Sequence, residues 1–328
     1  MTSTIQHARK SMNRLGAEKK PFLFIIDFLM QKPIVIPLNE VSRQHILFQT
    51  SIASNVHPFV ANKIDIVNPF VESCPISFEN YRRQFDAVVG EIRKGNSFVV
   101  NLTAQTPVRL ETNLQTIFYQ AKSKYKLWYH DQFVCFSPET FVTIDENKIR
   151  TFPMKGTINA AIPNAKQVIL NDLKETAEHN TVVDLLRNDL SMLADDVKVT
   201  KFRYVEAIET HKGRLLQVSS EIEGRLTSDY FNHLGDILFT LLPAGSITGA
   251  PKKKTVEIIV NTESYQRGYY TGVFGVFDGS RLDSAVMIRF IEKTANGYVF
   301  KSGGGITSKS NPHDEYQELI DKVYVPIY

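Results

Sequence analysis

Apolar positions along the chain recur with two periods. Short runs rich in β-branched and aromatic residues, at 22–28, 97–103, 133–136, 140–144, 148–153, 214–222, 271–277, 284–291 and 297–302, read as strands. Longer stretches at 78–94, 113–124, 165–193, 230–241, 251–261 and 312–322 carry apolar residues at helical spacing. In the stretch 165–193 the apolar series is Val168, Ile169, Leu173, Ala177, Val182, Leu185 and Leu186, with Glu178, Asp184, Arg187 and Asp189 interleaved. Mixed charges on a helix usually mark a solvated face. Here they crowd against apolar positions, which points to a partly buried site. The strands come in consecutive pairs and not in βαβ alternation, so the pattern predicts an α+β fold with antiparallel sheets. No internal repeat, low-complexity tract or Pro/Gly/Ser linker divides the chain, and a single domain over residues 1–328 is expected.

Composition narrows the class. Of 328 residues, 43% are hydrophobic and 22% charged, enough for a large buried core. A net charge of +3 is too small to argue for a nucleic-acid partner. The longest early apolar run, Phe22 to Ile26, stops at Asp27, far short of a membrane span. The start, MTSTIQHARKSMNRLG, has no apolar core of a secretory signal and reads as a frayed, basic terminus. Cys74 and Cys135 sit in no metal-ligand or CxxC spacing, so two free thiols in a reducing cytoplasm are expected.

One lysine stands out. In TFPMKGT, residues 151–157, Lys155 interrupts an otherwise apolar turn. Upstream, 141–144 and 149–152 flank Asp145-Glu146-Asn147-Lys148, a strong hairpin signal. A turn centred near residue 147 makes Glu139 and Lys155 cross-strand neighbours at the open end, provided that the register holds; a slip of one residue sends them to opposite faces. The pair reads either as an exposed ion pair of small worth or as a nucleophile beside a proton donor.

Two further stretches carry candidate chemistry. In GGGITSKSNPHDEYQELIDK, Asn311 suits an N-cap and Pro312 the first helical position, and Glu315, Glu318 and Lys322 share one helix face. Gly303, Gly304 and Gly305 allow close backbone approach. Paired glutamates beside glycines suit Mg²⁺, or simply a surface salt bridge. Ser308-Lys309-Ser310 nearly completes a phosphate-cradling loop, but glycine is missing at 308 and the helix starts too late. In LLPAGSITGAPKKK, Ser246 and Thr248 offer hydroxyls beside loop amides, a plausible anion site, and Lys252, Lys253 and Lys254 sit at the unfavourable positive end of a helix.

Together, GNSFVVNLT, FSPETF, PMKGT, AEHNTVVDLLRNDL, PAGSITGAPK, LDSAVMIRF, GGGI and DEYQELIDK resemble the chorismate-utilising enzymes, from about residue 78 to the end, with 1–77 as a reduced N-terminal portion. The resemblance implies antiparallel sheets packed as a sandwich with helices on the outside. The lysine in PMKGT, alanine in the anthranilate and salicylate branches, implies the aminodeoxychorismate synthase component I branch; anthranilate synthase component I is the alternative. A non-catalytic binder of chorismate or of a nucleotide is an alternative of another class. The implied reaction starts with a neutral Lys155 attacking C2 of chorismate while Glu139, as the neutral acid, protonates the departing C4 hydroxyl. Ammonia then adds at C4 and expels the lysine, giving 4-amino-4-deoxychorismate, the precursor of p-aminobenzoate and folate. Glu178 and Glu318, supported by Glu315, are the implied Mg²⁺ ligands. Arg289, Lys322, Thr157, Ser246, Thr248 and the Gly303–Gly305 amides are the implied substrate contacts. Neither cysteine lies in a glutaminase context, so ammonia is expected from a separate glutamine amidotransferase subunit.

Overall fold

The computed structural model describes residues 2–56, 69–210 and 213–327. Among them two antiparallel sheets form. The path of the first sheet, which has nine strands, runs Met154–Asn159, Gly213–Arg225, Lys148–Thr151, Thr140–Asp145, Leu282–Val286, Val273–Phe277, Phe22–Ile26 and Ile34–Pro37, with Asp195–Thr210 paired to Gly213–Arg225. The second has eight strands on the path Gly249–Ala250, Val99–Leu110, Gly297–Ile306, Phe290–Thr294, Phe133–Ser137, Tyr125–Tyr129 and Ile46–Gln49, with Phe70–Ser73 paired to Val99–Leu110.

Alternate residues of each strand serve different layers. Leu23 and Ile25 pack with Phe274, Val276 and Ala285 against Phe48, Leu127, Phe133, Cys135 and Phe290 of the other sheet, which is the sandwich interior. Phe22, Phe24 and Ile26 point the other way, into a core shared with Met12, Leu15, Leu234 and Leu238 of the helices Thr2–Ala17 and Leu234–Leu241. The outer face of the second sheet is covered in part by the helix Leu114–Gln120, through Leu114, Ile117 and Phe118. Strands buried on both faces explain why FLFII reads as one continuous apolar run and not as an alternation. Each such side chain contributes about 1.5–3 kcal/mol relative to exposure. The α+β sandwich with outer helices is therefore the architecture.

Several boundaries differ from the sequence reading. The start is not frayed: Thr2–Ala17 is a helix whose Ala8, Met12 and Leu15 are buried, at the i, i+4, i+7 spacing of an apolar stripe. The expected helix 165–193 is two, Ala165–Asn171 and Leu173–Ser191. Asp172 leaves helical geometry at ψ 116° and its carboxylate accepts from Glu175 N at 2.9 Å, capping the second helix. Asp195–Thr210 is a long strand that the apolar pattern missed, since its partner Gly213–Arg225 supplies most of the buried positions. No described helix is long and apolar enough to cross a membrane.

Candidate active site

The lysine of PMKGT owes its aim to a bulge. The hairpin sets Thr143 opposite Arg150 and Asp145 opposite Lys148. Extended to residue 139, this register sets Glu139 against residue 154, one short of Lys155. The ladder of the hairpin ends at Arg150, and the pairing that residues 148–151 make with Gly213–Arg225 resumes after Phe152-Pro153, as Met154 to Ser219 and Thr157 to Gln217. Between those pairs the register shifts by one, and Gly156 takes φ +81°. This is a bulge, a device that redirects a side chain. The expected cross-strand pairing of Glu139 and Lys155 is thus not the geometry. The bulge carries Lys155 Nζ to 3.4 Å from where a Cβ would stand on Gly305, in the other sheet.

Glu139 reaches the same place from the start of its own strand. Its Nα–H donates to Ser137 Oγ at 3.1 Å, and Ser246 Oγ donates to its Oε1. Burial pushes its carboxyl above the ordinary range, against the Ser246 hydrogen bond and the charges of Lys155, Arg289 and Lys322. The position therefore shifts Glu139 in the direction that a proton donor needs.

The glycines complete a floor. Gly297–Ile306 runs through them as a regular strand, with Gly303 opposite Thr103, Gly304 opposite Leu102 and Gly305 opposite Asn101. A Cβ on Gly304 would lie 3.2 Å from Glu318 Oε1 and 3.5 Å from Glu315 Oε2, so a side chain there would fill the space that the two carboxylates share. Both come from the helix Pro312–Asp321, capped by Asn311 accepting from His313 N and Asp314 N, with Pro312 at its start. Lys322 closes that face, donating to Gly303 O at 2.8 Å and to Glu318 Oε1 at 2.5 Å. Burial lowers the Lys322 pKa and the Glu318 charge opposes it. Burial raises the Tyr81 hydroxyl, and Glu315 and Glu318 raise it further, which places this tyrosine beside the same carboxylates. Ser308-Lys309-Ser310 folds into a local turn, Thr307 N donating to Ser310 Oγ at 3.1 Å.

Arg289 stands in left-handed geometry, φ +51°, immediately before the strand Phe290–Thr294. A non-glycine residue there is strained, a feature that clusters at functional sites. Its Nε–H is buried without a hydrogen-bond acceptor. Glu139, Lys155, Arg289, Lys322, Glu315, Glu318, Ser246 and the three glycines thus converge.

Others do not. Thr157 is solvent-exposed beyond the bulge. Thr248 is fully buried and its hydroxyl donates to Ala244 O at 2.8 Å, so it braces the loop in place of presenting a donor. Glu178 is half-buried on Leu173–Ser191, one residue before His179. His179 is the residue that the sequence reading passed over. It is 1% exposed, its Nε2 lies 2.6 Å from Ser220 Oγ, and its Nδ1 is buried without a partner. Burial, then Arg203 and Lys155, bring its pKa down to about 4. Its only signal in the sequence is its place beside Glu178. The buried charge expected on this helix is Asp189, whose Oδ2 takes Lys252 Nζ at 2.7 Å. Lys252 is thereby the relieved member of the lysine triplet. Burial raises the Cys135 thiol well above its ordinary value, while Cys74 is exposed.

For a divalent cation the fit is specific but incomplete. Glu315 and Glu318 offer hard oxygens over a backbone cleared by Gly304. Among the described residues, no group of three or more His, Cys, Asp or Glu side chains that could hold a metal ion forms. Mg²⁺ binds through one or two carboxylates plus waters and substrate oxygens, and this donor set suits it.

Residues 61–327 match the profile of the chorismate binding enzymes. An uncharacterized PabA-like protein of Haemophilus influenzae is 49% identical over 99% of this chain and 98% of its own length. Aminodeoxychorismate synthase component 1 of Escherichia coli is 31% identical over 75% of this chain, which spans only 56% of that relative. The crystal structure of anthranilate synthase component I from Streptococcus pneumoniae superposes with a TM-score of 0.68 at 26% identity, covering 82% of this chain and 61% of that one. With its two-sheet sandwich and its glycine-floored cleft, this chain belongs to the chorismate binding enzyme family.

Proposed function

We propose that this chain is an aminating chorismate enzyme of the aminodeoxychorismate synthase type, with Lys155 as nucleophile and Glu139 as general acid. The observation that carries the reading is the convergence of Lys155 Nζ, directed by its bulge to Gly305, with a Glu139 carboxyl pushed toward its acid form. In this reading Arg289 and Lys322 hold the substrate carboxylates, since a planar guanidinium with a buried unpartnered N–H suits a carboxylate fork. The amine of Lys155 forms a bond to C2 as the C4 hydroxyl leaves with the proton of Glu139; ammonia then bonds to C4 and the lysine leaves. Two easier substitutions replace one hard one. Mg²⁺, held by Glu315 and Glu318 with Glu178 as a further candidate, would neutralise the ring carboxylate. Ammonia would come from a separate glutamine amidotransferase subunit, and the product would feed p-aminobenzoate and folate synthesis in the cytoplasm.

The test is product mass. The purified chain, with chorismate, ammonium and Mg²⁺, is expected to release 4-amino-4-deoxychorismate, which keeps its enolpyruvyl group. Anthranilate, which has lost that group, would reject the assignment in favour of the anthranilate branch. Lys155→Ala is expected to bind chorismate yet fall to the background rate, and intact-protein mass spectrometry of the wild type is expected to show an adduct on Lys155. Unchanged turnover by Lys155→Ala would remove the nucleophile.

A further inference from the structure

The segment after the helix Pro312–Asp321 leads from Lys322 in this cleft to a ring beside Arg289, and none of the sequence motifs gives it a task. It is fastened at two points. Val325 is 7% exposed, in the cluster formed by Leu114, Phe118 and Phe300. Lys122 N donates to Pro326 O at 2.7 Å, at the end of the helix Leu114–Gln120. Between these anchors and Lys322 the chain delivers Tyr324, whose ring lies under the Arg289 guanidinium, 5.1 Å from carbon to ring centroid.

We infer that Tyr324 is a positioning residue for Arg289, fixing the guanidinium that receives a substrate carboxylate; the inference rests on chorismate occupying this cleft, not on which product forms. The physical case lies in what a ring face does and does not use. Arg289 stands on strained backbone, and its Nε–H has no acceptor. A carboxylate partner would orient the group but consume the donors that the ligand needs. An aromatic face holds the cation through its quadrupole and leaves the in-plane N–H groups free. The neighbouring cation Lys322 pushes in the same direction, since a guanidinium beside a like charge gains from any attractive surface. A side chain that only orients the binding group alters ground and transition states alike, so its loss appears in KM.

The experiment compares Tyr324→Phe, Tyr324→Leu and Tyr324→Ala with the wild type, reading chorismate affinity by calorimetry with Mg²⁺ present, KM and kcat for chorismate consumption, and melting temperature. Tyr324→Leu keeps an apolar anchor for the segment without a ring face. The expected result is an increase of about 2- to 30-fold in Kd and KM for the Leu and Ala variants, the range of a cation–π contact, with kcat little changed. Tyr324→Phe is expected to retain wild-type affinity. In an Arg289→Lys background the Tyr324→Leu effect is expected to shrink, which marks direct coupling. Unchanged KM in Tyr324→Leu, a fall in kcat with KM intact, or a Tyr324→Phe variant as weak as Tyr324→Leu would each overturn the assignment. The identity of the wild-type product decides the amination reading separately; a wild type that bound no chorismate would remove both.

Discussion

Two groups of charges in this protein, one fully buried and one half-buried, are built to different ends. Glu263 and Arg267 are paired at 2.6 Å with side chains 1% and 2% exposed. Glu263 Oε1 also accepts from Thr103 N and Thr103 Oγ1, at 2.9 and 2.7 Å. The remaining donors of Arg267 reach Ile247 O, Thr271 Oγ1 and Asn101 O. One positive charge meets one negative charge, and nothing is left over. In the cleft the carboxyl of Glu139 faces Lys155, Arg289 and Lys322, burial drives it toward neutrality, and Arg289 Nε has no acceptor. Lys322 is balanced by Glu318. A self-contained pair fastens strands and loop together; a group left with positive charge and an unused donor is finished only by an anion. The first arrangement also serves the second, because Arg267 holds the loop carbonyl of Ile247, next to Ser246, and the strand that faces the glycines.

Either group can be disabled by a single substitution. The largest effect belongs to Glu139→Gln, which keeps shape and removes the acid. Loss of a general acid is expected to lower kcat by roughly 10²–10⁴-fold, read in a chorismate consumption assay with ammonium. A kcat within a factor of a few of the wild type would move the proton-donor role elsewhere. Next comes Arg267→Met, which leaves Glu263 buried and unpaired. Breaking a buried pair in this way costs about 3–5 kcal/mol of stability, read as a lower urea midpoint at unchanged slope. Were Arg267→Met as stable as wild type, the contrast between a fastening pair and a site would fail.

What the sequence could disclose follows the same divide between local and distant causes. The helix Pro312–Asp321 was legible because Asn311, Pro312 and the i, i+3 glutamates act within one turn. The buried strand Phe22–Ile26 was legible because burial on both faces writes a continuous apolar run. The aim of Lys155 was not: it depends on a bulge whose register is set by Ser219 and Gln217, some 60 residues away in the chain. The break at Asp172 was hidden because the apolar series passes through it without interruption, while the cap that stops one helix and starts the next uses a residue type that also occurs on helix surfaces. Thr248 and Ser246 look alike in SITGAPK, yet one hydroxyl is spent on the loop and the other reaches Glu139. The resemblance to chorismate enzymes supplied the residues of the cleft; only the packing says which of them meet.

The pH dependence of Glu139 is a small effect, but it isolates burial from catalysis. An unfolded glutamate titrates near 4.5, and burial raises Glu139 above that value in the folded chain. Between the two values the native state holds more protons than the unfolded state. The slope of unfolding free energy with pH follows the protons bound by the unfolded state minus those bound by the native state, so it is negative in that window. The contribution of Glu139 is fully present below 4.5 and is lost as pH rises through its raised folded value. Glu139→Gln removes the titration and keeps the volume. The difference in stability between variant and wild type, measured by urea unfolding across that range, is therefore expected to shift in favour of the variant as pH increases and to level off once the wild-type carboxyl is ionised. The kcat of the wild type is expected to fall over the same interval as the acid form is depleted. A difference that stayed flat with pH would mean that Lys155, Arg289 and Lys322 outweigh burial, and the carboxyl would then be a buried ion partner like Glu263 and not a proton donor.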